Sequence, residues 1–133
     1  MIFDSKVLLK VFTALLVVVM ATAFWSSPVV GGYKTTFTKH VLPIFKNKCM
    51  DCHRLGGEGQ EKSGLDLSSY ETLMKGTKHG PVVVPGDLLT SNLVVLIEGK
   101  ADHSINMPYQ TDPLTKNEIR LIKQWVKQGA MKN

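Results

Sequence analysis

The chain contains two cysteines, and they lie three positions apart in the stretch Cys49-Met50-Asp51-Cys52-His53. A histidine directly follows the second cysteine, so two thiols and one imidazole are held within five consecutive residues. Any fold that this chain adopts must bring these three groups into one small volume. The motif therefore constrains the fold more strongly than any other feature of the sequence.

A disulfide and a zinc site are two possible uses of this cysteine pair. A disulfide across a two-residue gap forms a tight and strained loop, which is used mainly in redox catalysts. Such catalysts place the motif near a strand-helix-strand pattern, which this sequence lacks. A structural zinc ion needs four ligands, whereas Cys49, Cys52 and His53 supply three. Both uses stay open as alternatives.

The pattern Cys-x-x-Cys-His is also the attachment signature of a covalent haem. Each thiol adds to one vinyl group at the haem edge, and the histidine that follows lies under the iron as an axial ligand. The motif therefore predicts one haem c with its iron, held by Cys49 and Cys52 and ligated by His53.

The second axial ligand is predicted to be a methionine, because a thioether sulfur favours Fe(II) and raises the reduction potential. Among six methionines, Met107 is the best candidate, since it lies in a loop in which Pro108 restricts its backbone. A gap-filling role for Met107 is the alternative. The rival ligands are the remaining histidines, His40, His79 and His103.

The N-terminal region contains a charge-free segment from Val11 to Trp25, which follows Lys6 and Lys10. This pattern is typical of a secretory signal peptide or a signal-anchor, and both export the rest of the chain. We therefore expect the protein at the periplasmic, extracytoplasmic side of a membrane.

Cleavage and retention of this segment are supported by different residues. The small residues 21–23 form a suitable cleavage site. Against cleavage, the 19 residues from Val7 to Trp25 approach the roughly 20 that a spanning helix needs. Phe24 and Trp25 also suit a membrane interface. We interpret residues 1–25 as a membrane anchor, with a cleaved signal and a soluble periplasmic protein as the alternative.

The charge of the chain limits its partners. Without the first 23 residues, the remaining 110 carry 14 Lys+Arg and 10 Asp+Glu, a net charge of +4. The lysines are scattered and no basic strip with interleaved aromatic residues occurs, so nucleic acid is not an expected partner. A solvated surface explains this charge, and a docking face for an acidic redox partner is the alternative.

Residues 26–36 are predicted to be a linker, because they begin with a run of Ser, Pro and Gly, and residues 37–133 form the domain. Its first helix is indicated by apolar residues at helical spacing from Phe37 to Phe45, and it leads into Cys49. Pro43 should kink or delay this helix, since it lacks an N–H donor.

Capping residues predict three further helices. Ser68 or Ser69 can begin one that ends at Gly76, and Thr90 or Ser91 can begin one that ends near Gly99.

The last helix has a capping box at Thr115 and Glu118 and a C-terminal cap at Gly129. Leu114 and Ile119 can form a hydrophobic staple at its start. Its apolar face is expected to pack on the first helix; this face comprises Ile119, Ile122, Trp125 and Val126. The sequence has no sustained alternation of apolar and polar residues, which is the pattern that indicates a strand. The expected fold is therefore a small all-α domain with long loops.

Several sequence blocks resemble those of small class I single-haem cytochromes c, especially the planctomycete type. The resemblance covers about Phe37 to Ala130. The blocks are V-L-P-I-F-K-N-K-C-M-D-C-H (41–53), G-L-D-L-S-S (64–69), V-P-G-D (84–87), M-P (107–108), L-T-K-N-E-I (114–119) and W-V-K-Q-G-A (125–130).

This resemblance implies thioethers at Cys49 and Cys52, a proximal ligand at His53 and a distal ligand at Met107. It also implies that the first and last helices pack together. Two residues depart from the common pattern of the family: Arg54 replaces a frequent glycine, and Tyr109 replaces a frequent second proline.

The expected function is one-electron transfer, and no catalytic set of residues is evident, so the chain is not expected to be an enzyme. A haem-based sensor or gas-binding module is one alternative. An electron-transfer subunit of a larger oxidoreductase, such as a respiratory or photosynthetic membrane complex, is another.

Overall fold

Five α-helices and one π-helical turn form the regular structure of residues 32–133, the part of the chain that a computed structural model describes. The π-helical turn is Phe37–Val41, and the helices are α1 (Leu42–Lys48), α2 (Glu58–Ser63), α3 (Tyr70–Lys75), α4 (Asn92–Ile97) and α5 (Lys116–Lys127). No strand occurs within residues 32–133, which confirms the predicted all-α class.

The predicted N-terminal helix of residues 1–25 lies outside the described residues. None of the helices within residues 32–133 combines the length and hydropathy that a transmembrane helix requires.

The first helix begins with a widened turn because of Pro43. The Leu42 N–H donates to the carbonyl of Phe37, five residues earlier. Pro43 stands in the first turn of α1 and has no N–H to donate to the preceding turn. The predicted delay of the helix at Pro43 is therefore confirmed, and α1 still ends directly before Cys49.

The packing of the first and last helices, predicted from their apolar faces, is present in the structure. The rings of Phe37 and Trp125 lie with their centroids 5.5 Å apart, and Tyr70 of α3 completes this aromatic cluster at 5.4 Å from Phe37. Trp125 and Phe37 are both buried. The π-helical turn therefore holds α5 through aromatic contacts.

Hydrogen bonds also join the start of the described segment to the C-terminal end. The Thr35 N–H donates to Oε1 of Gln128 at 2.9 Å, and the Thr38 N–H donates to the carbonyl of Asn133 at 2.9 Å. The Thr35 side chain is buried. These bonds fix the entry of the chain into α1, and hence the position of Cys49 at the end of that helix.

Helix α5 has the caps that the sequence predicts. Glu118 N–H donates to Thr115 Oγ1 at 3.2 Å, and Thr115 N–H donates to Glu118 Oε2 at 2.7 Å. At the other end, Gly129 has φ +96°, and the N–H groups after the helix donate to Val126 and Trp125. This is a Schellman cap, which requires the left-handed conformation that glycine adopts at low cost.

The two middle helices agree with the sequence to different extents. Helix α3 has the predicted cap, because Thr72 N–H donates to Ser69 Oγ at 3.1 Å and Gly76 ends the helix. Ser91 precedes α4 as predicted, but its side chain does not cap that helix. Helix α2 was not predicted from the sequence; it is short and has no buried residue.

Ser91 instead holds the V-P-G-D turn against the domain. Its buried hydroxyl accepts the Val84 N–H at 2.9 Å and lies 2.6 Å from the carbonyl of Asp87, to which it donates. Within the turn, Asp87 N–H donates to Val84 and Gly86 has φ +84°. The Gly86 N–H then donates to the carbonyl of Val126 at 2.8 Å, which ties the turn to α5.

Replacing Ser91 by Ala is expected to lower the free energy of unfolding by about 1–3 kcal/mol, because the part-buried Val84 N–H loses its acceptor and the site of the buried hydroxyl is left empty. Urea unfolding measures the change. Ser68 is the matched control, since it is exposed and its hydroxyl makes no hydrogen bond within the described residues. Equal losses in the Ser91→Ala and Ser68→Ala variants would contradict this role of Ser91.

Candidate functional site

The Cys-x-x-Cys-His motif follows α1 as a series of tight turns. Cys49 N–H donates to the carbonyl of Phe45 at 2.9 Å, and the carbonyl of Cys49 accepts the His53 N–H at 2.9 Å. Cys49 is half-buried against the core and Cys52 is exposed, and both are free thiols. The end of α1 therefore presents two thiols and one imidazole from consecutive turns.

The ring of His53 is oriented by a backbone carbonyl. His53 is 8% exposed, and its Nδ1 lies 3.4 Å from the carbonyl oxygen of Leu65. A carbonyl can only accept, so this contact places the proton on Nδ1 and leaves a lone pair on Nε2. Burial lowers the pKa of His53, and the hydrogen bond to Leu65 partly offsets that effect. The imidazole is thus neutral at pH 7 and suited to bind a metal through Nε2.

The G-L-D-L block explains how Leu65 reaches this position. The Leu67 N–H donates to the carbonyl of His53 at 2.8 Å, so this segment runs beside the motif. Leu65 and Leu67 are both buried in the core. The sequence indicates the importance of this block only through the family resemblance, and it does not predict Leu65 as the partner of the His53 ring. Every residue has a backbone carbonyl, so the residue type does not indicate which carbonyl will accept a hydrogen bond from a distant side chain.

Two glycines allow α2 and the segment before it to approach the motif closely. A Cβ atom at Gly59 would lie 2.9 Å from Cε1 and 3.0 Å from Nε2 of His53. A Cβ atom at Gly57 would lie 2.5 Å from the carbonyl oxygen of Cys52. The distances of 2.9 Å at Gly59 and 2.5 Å at Gly57 are shorter than real contacts of a Cβ atom. The stretch Gly-Gly-Glu-Gly after the motif is the signal in the sequence that indicates this close packing.

The electrostatic environment of Cys49 does not resemble that of a redox-active thiol. The pKa of Cys49 is raised to about 12, mainly by burial and to a smaller extent by the charges of Glu118 and Cys52, while the charge of Lys48 lowers it. Redox catalysts lower the pKa of such a cysteine to obtain a thiolate. The influence of Glu118 also shows that the first turn of α5 lies near Cys49.

Met107 lies on a loop that is attached to α4. Its N–H donates to the carbonyl of Leu96 at 3.2 Å, and its half-buried side chain packs against the same core cluster as Cys49. The preceding Asn106 braces the loop through two hydrogen bonds to Ala101, at 3.1 and 3.2 Å. The distal role of Met107 stays a prediction.

The rival histidines have other environments. His40 Nε2 lies 2.6 Å from the Tyr33 hydroxyl, and its Nδ1 accepts the Thr36 N–H at 2.9 Å. His79 is exposed in a turn. The side chain of His103 is 97% exposed, with Nδ1 3.4 Å from an Asp102 carboxylate oxygen. In this structure, therefore, both ring nitrogens of His40 are engaged and the other two rings lie at the surface.

Exposed apolar side chains flank the predicted ligands. Leu55, two positions after His53, is 81% exposed, and Ile105 and Tyr109, two positions on either side of Met107, are 54% and 51% exposed. These are three of the six large hydrophobic residues that are exposed in residues 32–133. Uncovered apolar groups at both ligand segments fit the binding of a large apolar group beside them.

The two departures from the family pattern lie at the surface. Arg54 is exposed, and its carbonyl accepts the Gly57 N–H at 2.8 Å. The Tyr109 hydroxyl lies 3.2 Å from the Gln110 amide nitrogen. Tyr109 is also close enough to Lys62 of α2 to contribute slightly to that lysine's raised pKa, whose main cause is the hydrogen bond with Glu58. Helix α2 and the Met107 loop are therefore neighbours.

A zinc site does not assemble around the cysteines. Within residues 32–133, no three side chains of His, Cys, Asp or Glu lie together as metal ligands do. A covalent haem uses a different donor set: two free thiols followed by a neutral imidazole. Here a backbone carbonyl orients the ring of that imidazole. The residues present fit a haem c.

A cytochrome c-type electron-transfer domain is the class indicated by this motif in its helical setting. Residues 49–109 match the family described as "Planctomycete cytochrome C". The matched segment contains Cys49, Cys52, His53 and Met107, and it confirms the resemblance predicted from the sequence. It ends before α5. No curated protein and no solved structure matches the chain significantly.

Proposed function

We propose that this domain is a one-electron carrier with a single covalent haem c, rather than an enzyme or a sensor. When bound, the haem iron supplies cycling between Fe(III) and Fe(II). The observation that carries the proposal is the His53 ring, held by the carbonyl of Leu65 next to two free thiols. The family match over this segment supports the same function.

In this proposal, each residue of the site has a distinct role. Cys49 and Cys52 would hold the cofactor through two thioethers, and His53 Nε2 and the Met107 sulfur would ligate its iron. The Leu65 carbonyl keeps the imidazole in one orientation and increases its basicity as a ligand. The exposure of Cys52, together with the burial of His53, leaves one side of the site accessible to a redox partner.

The covalent attachment of the haem and the coordination of its iron are tested on the purified protein. Extraction with acidic acetone is expected to leave all haem on the polypeptide, because thioethers survive denaturation. The reduced protein is expected to resist carbon monoxide, since a six-coordinate carrier has no free position at the iron. Haem in the organic phase would disprove covalent attachment, and ready binding of carbon monoxide would favour a sensor or gas-binding module.

We further propose that residues 1–25 anchor the domain at the extracytoplasmic face of the membrane, where it transfers electrons to or from an acidic protein or a membrane complex. Lys6 and Lys10 would then lie on the cytoplasmic side. The intact mass is expected to include residues 1–23, and high salt should not release the protein from membranes. A mature N-terminus at Phe24 would show that the segment is a cleaved signal peptide.

A further inference from the structure

Helix α5 has four basic side chains on the surface that faces away from the core. Lys116, Arg120, Lys123 and Lys127 are spaced by three or four residues, so they form one row along the helix. The row lines an open groove with a volume of about 310 Å³. We call this surface the α5 groove.

The remaining lining of the α5 groove is largely apolar. Leu88 and Ile119 contribute half-buried side chains to it. Leu89, the next residue after Leu88, is 87% exposed, which is the highest exposure among the large hydrophobic residues of the described chain. Apolar surface thus lies between and beside the cationic groups, and the packing of residues 32–133 leaves it uncovered.

The basic row is not explained by ion pairs within the domain. Within residues 32–133, Lys116, Arg120 and Lys127 form no ion pair, whereas Lys123 pairs with Glu98. Arg120 donates only to neutral groups of Asn117 and Gln124, at 2.6 and 2.9 Å. These three cations are therefore available to an external anion.

Helix stability does not explain the row either. Like charges four positions apart on a helix repel each other, as in the pairs Lys116 with Arg120 and Lys123 with Lys127. Lys116 also occupies the first position of α5, where the helix dipole disfavours a positive charge. An anionic partner would relieve both effects.

We propose that the α5 groove docks an acidic protein segment in which apolar side chains are interspersed among carboxylates. The charges match in sign, and a concave apolar lining accepts side chains, as in other grooves that bind amphipathic segments. A flat membrane surface would leave the concave lining unfilled. The inference does not depend on the haem ligands, because no residue of the groove belongs to the haem site.

A labelled peptide tests this proposal on the full-length haem-loaded protein in detergent. The probe is fluorescein-labelled Glu-Glu-Leu-Glu-Glu-Leu-Glu-Glu, and the comparison peptide has serine in place of both leucines. Fluorescence anisotropy at low ionic strength gives the Kd. The variant R120Q/K127Q removes two unpaired cations of the groove. The matched control K34Q/K78Q removes two exposed lysines from loops and produces the same net charge.

We expect the leucine peptide to bind more tightly than the serine peptide. The R120Q/K127Q variant should weaken binding by about tenfold or more, because two charge-assisted contacts are lost, and the K34Q/K78Q control by about twofold or less. Three results would overturn the proposal: no binding, an equal loss in both variants, or no preference for leucine. Tighter, groove-dependent binding to detergent micelles that contain phosphatidylglycerol would also overturn it and would assign the surface to the membrane.

The visible spectrum of each variant is recorded in the same samples. It is expected to be unchanged, since Arg120 and Lys127 lie outside the predicted ligand set. A failure of the haem assignment would therefore appear in the spectrum of the wild-type protein and leave the comparison of the two peptides interpretable.

Discussion

Replacing Met107 by Ala should leave the haem attached and remove its proposed distal ligand. The thioethers and His53 are unchanged, so the haem content should equal that of the wild type. The oxidised spectrum should lose its sulfur-to-iron band, the reduction potential should fall, and the reduced iron should bind carbon monoxide. Absorption spectroscopy and a redox titration measure these changes.

Met74 provides the control for this experiment. It is half-buried against the same core cluster but lies on α3. The Met74→Ala variant should therefore lose stability without a change in the spectrum, and the loss should be no greater than the about 2–5 kcal/mol that truncation of a fully buried methionine costs. If Met107→Ala keeps the sulfur band and a Met74 or His79 variant loses the normal low-spin spectrum, Met107 is not the ligand.

Replacing His53 by Ala is expected to have the largest effect, a protein with little haem and low stability. The variant loses the proposed proximal ligand, and it also leaves the Leu65 carbonyl without its donor, which costs about 1–3 kcal/mol if the site stays dry. In so small a domain, a bound haem contributes a large share of the core, so poor haem incorporation should lower stability further. Haem content per polypeptide and thermal unfolding measure the two effects.

His103→Ala is the matched control, because this side chain is almost fully exposed. It should retain the haem content and the melting temperature of the wild type. A His53→Ala protein with full haem content and an unchanged low-spin spectrum would show that another residue is the proximal ligand.

Local signals in the sequence predicted the helices and their ends well. The capping box at Thr115, the caps at Ser69 and Gly129, and the effect of Pro43 depend on residues within a turn of each other, so their geometry follows from short-range chemistry. Helix α2 was not predicted, because it offers few of these local signals. It has no apolar face and contains Gly59, and its position depends on contact with the motif rather than on its own propensity.

The Ser91 side chain shows where such local reasoning fails. Its position before α4 suggested a cap, but its hydroxyl bonds to the V-P-G-D turn instead. A hydroxyl at the start of a helix can form a hydrogen bond with any nearby acceptor or donor. The segments that pack around the hydroxyl decide which partner it has.

The sequence by itself predicted the all-α class and the caps of α3 and α5, and it predicted haem attachment because two cysteines and a histidine stand at the spacing of that signature. Only the tertiary structure showed that the Leu65 carbonyl orients His53, that Gly59 lies against its ring, and that α5 lines a cationic groove. These features join residues that are distant in sequence or involve backbone atoms. Packing, rather than local propensity, brings them together.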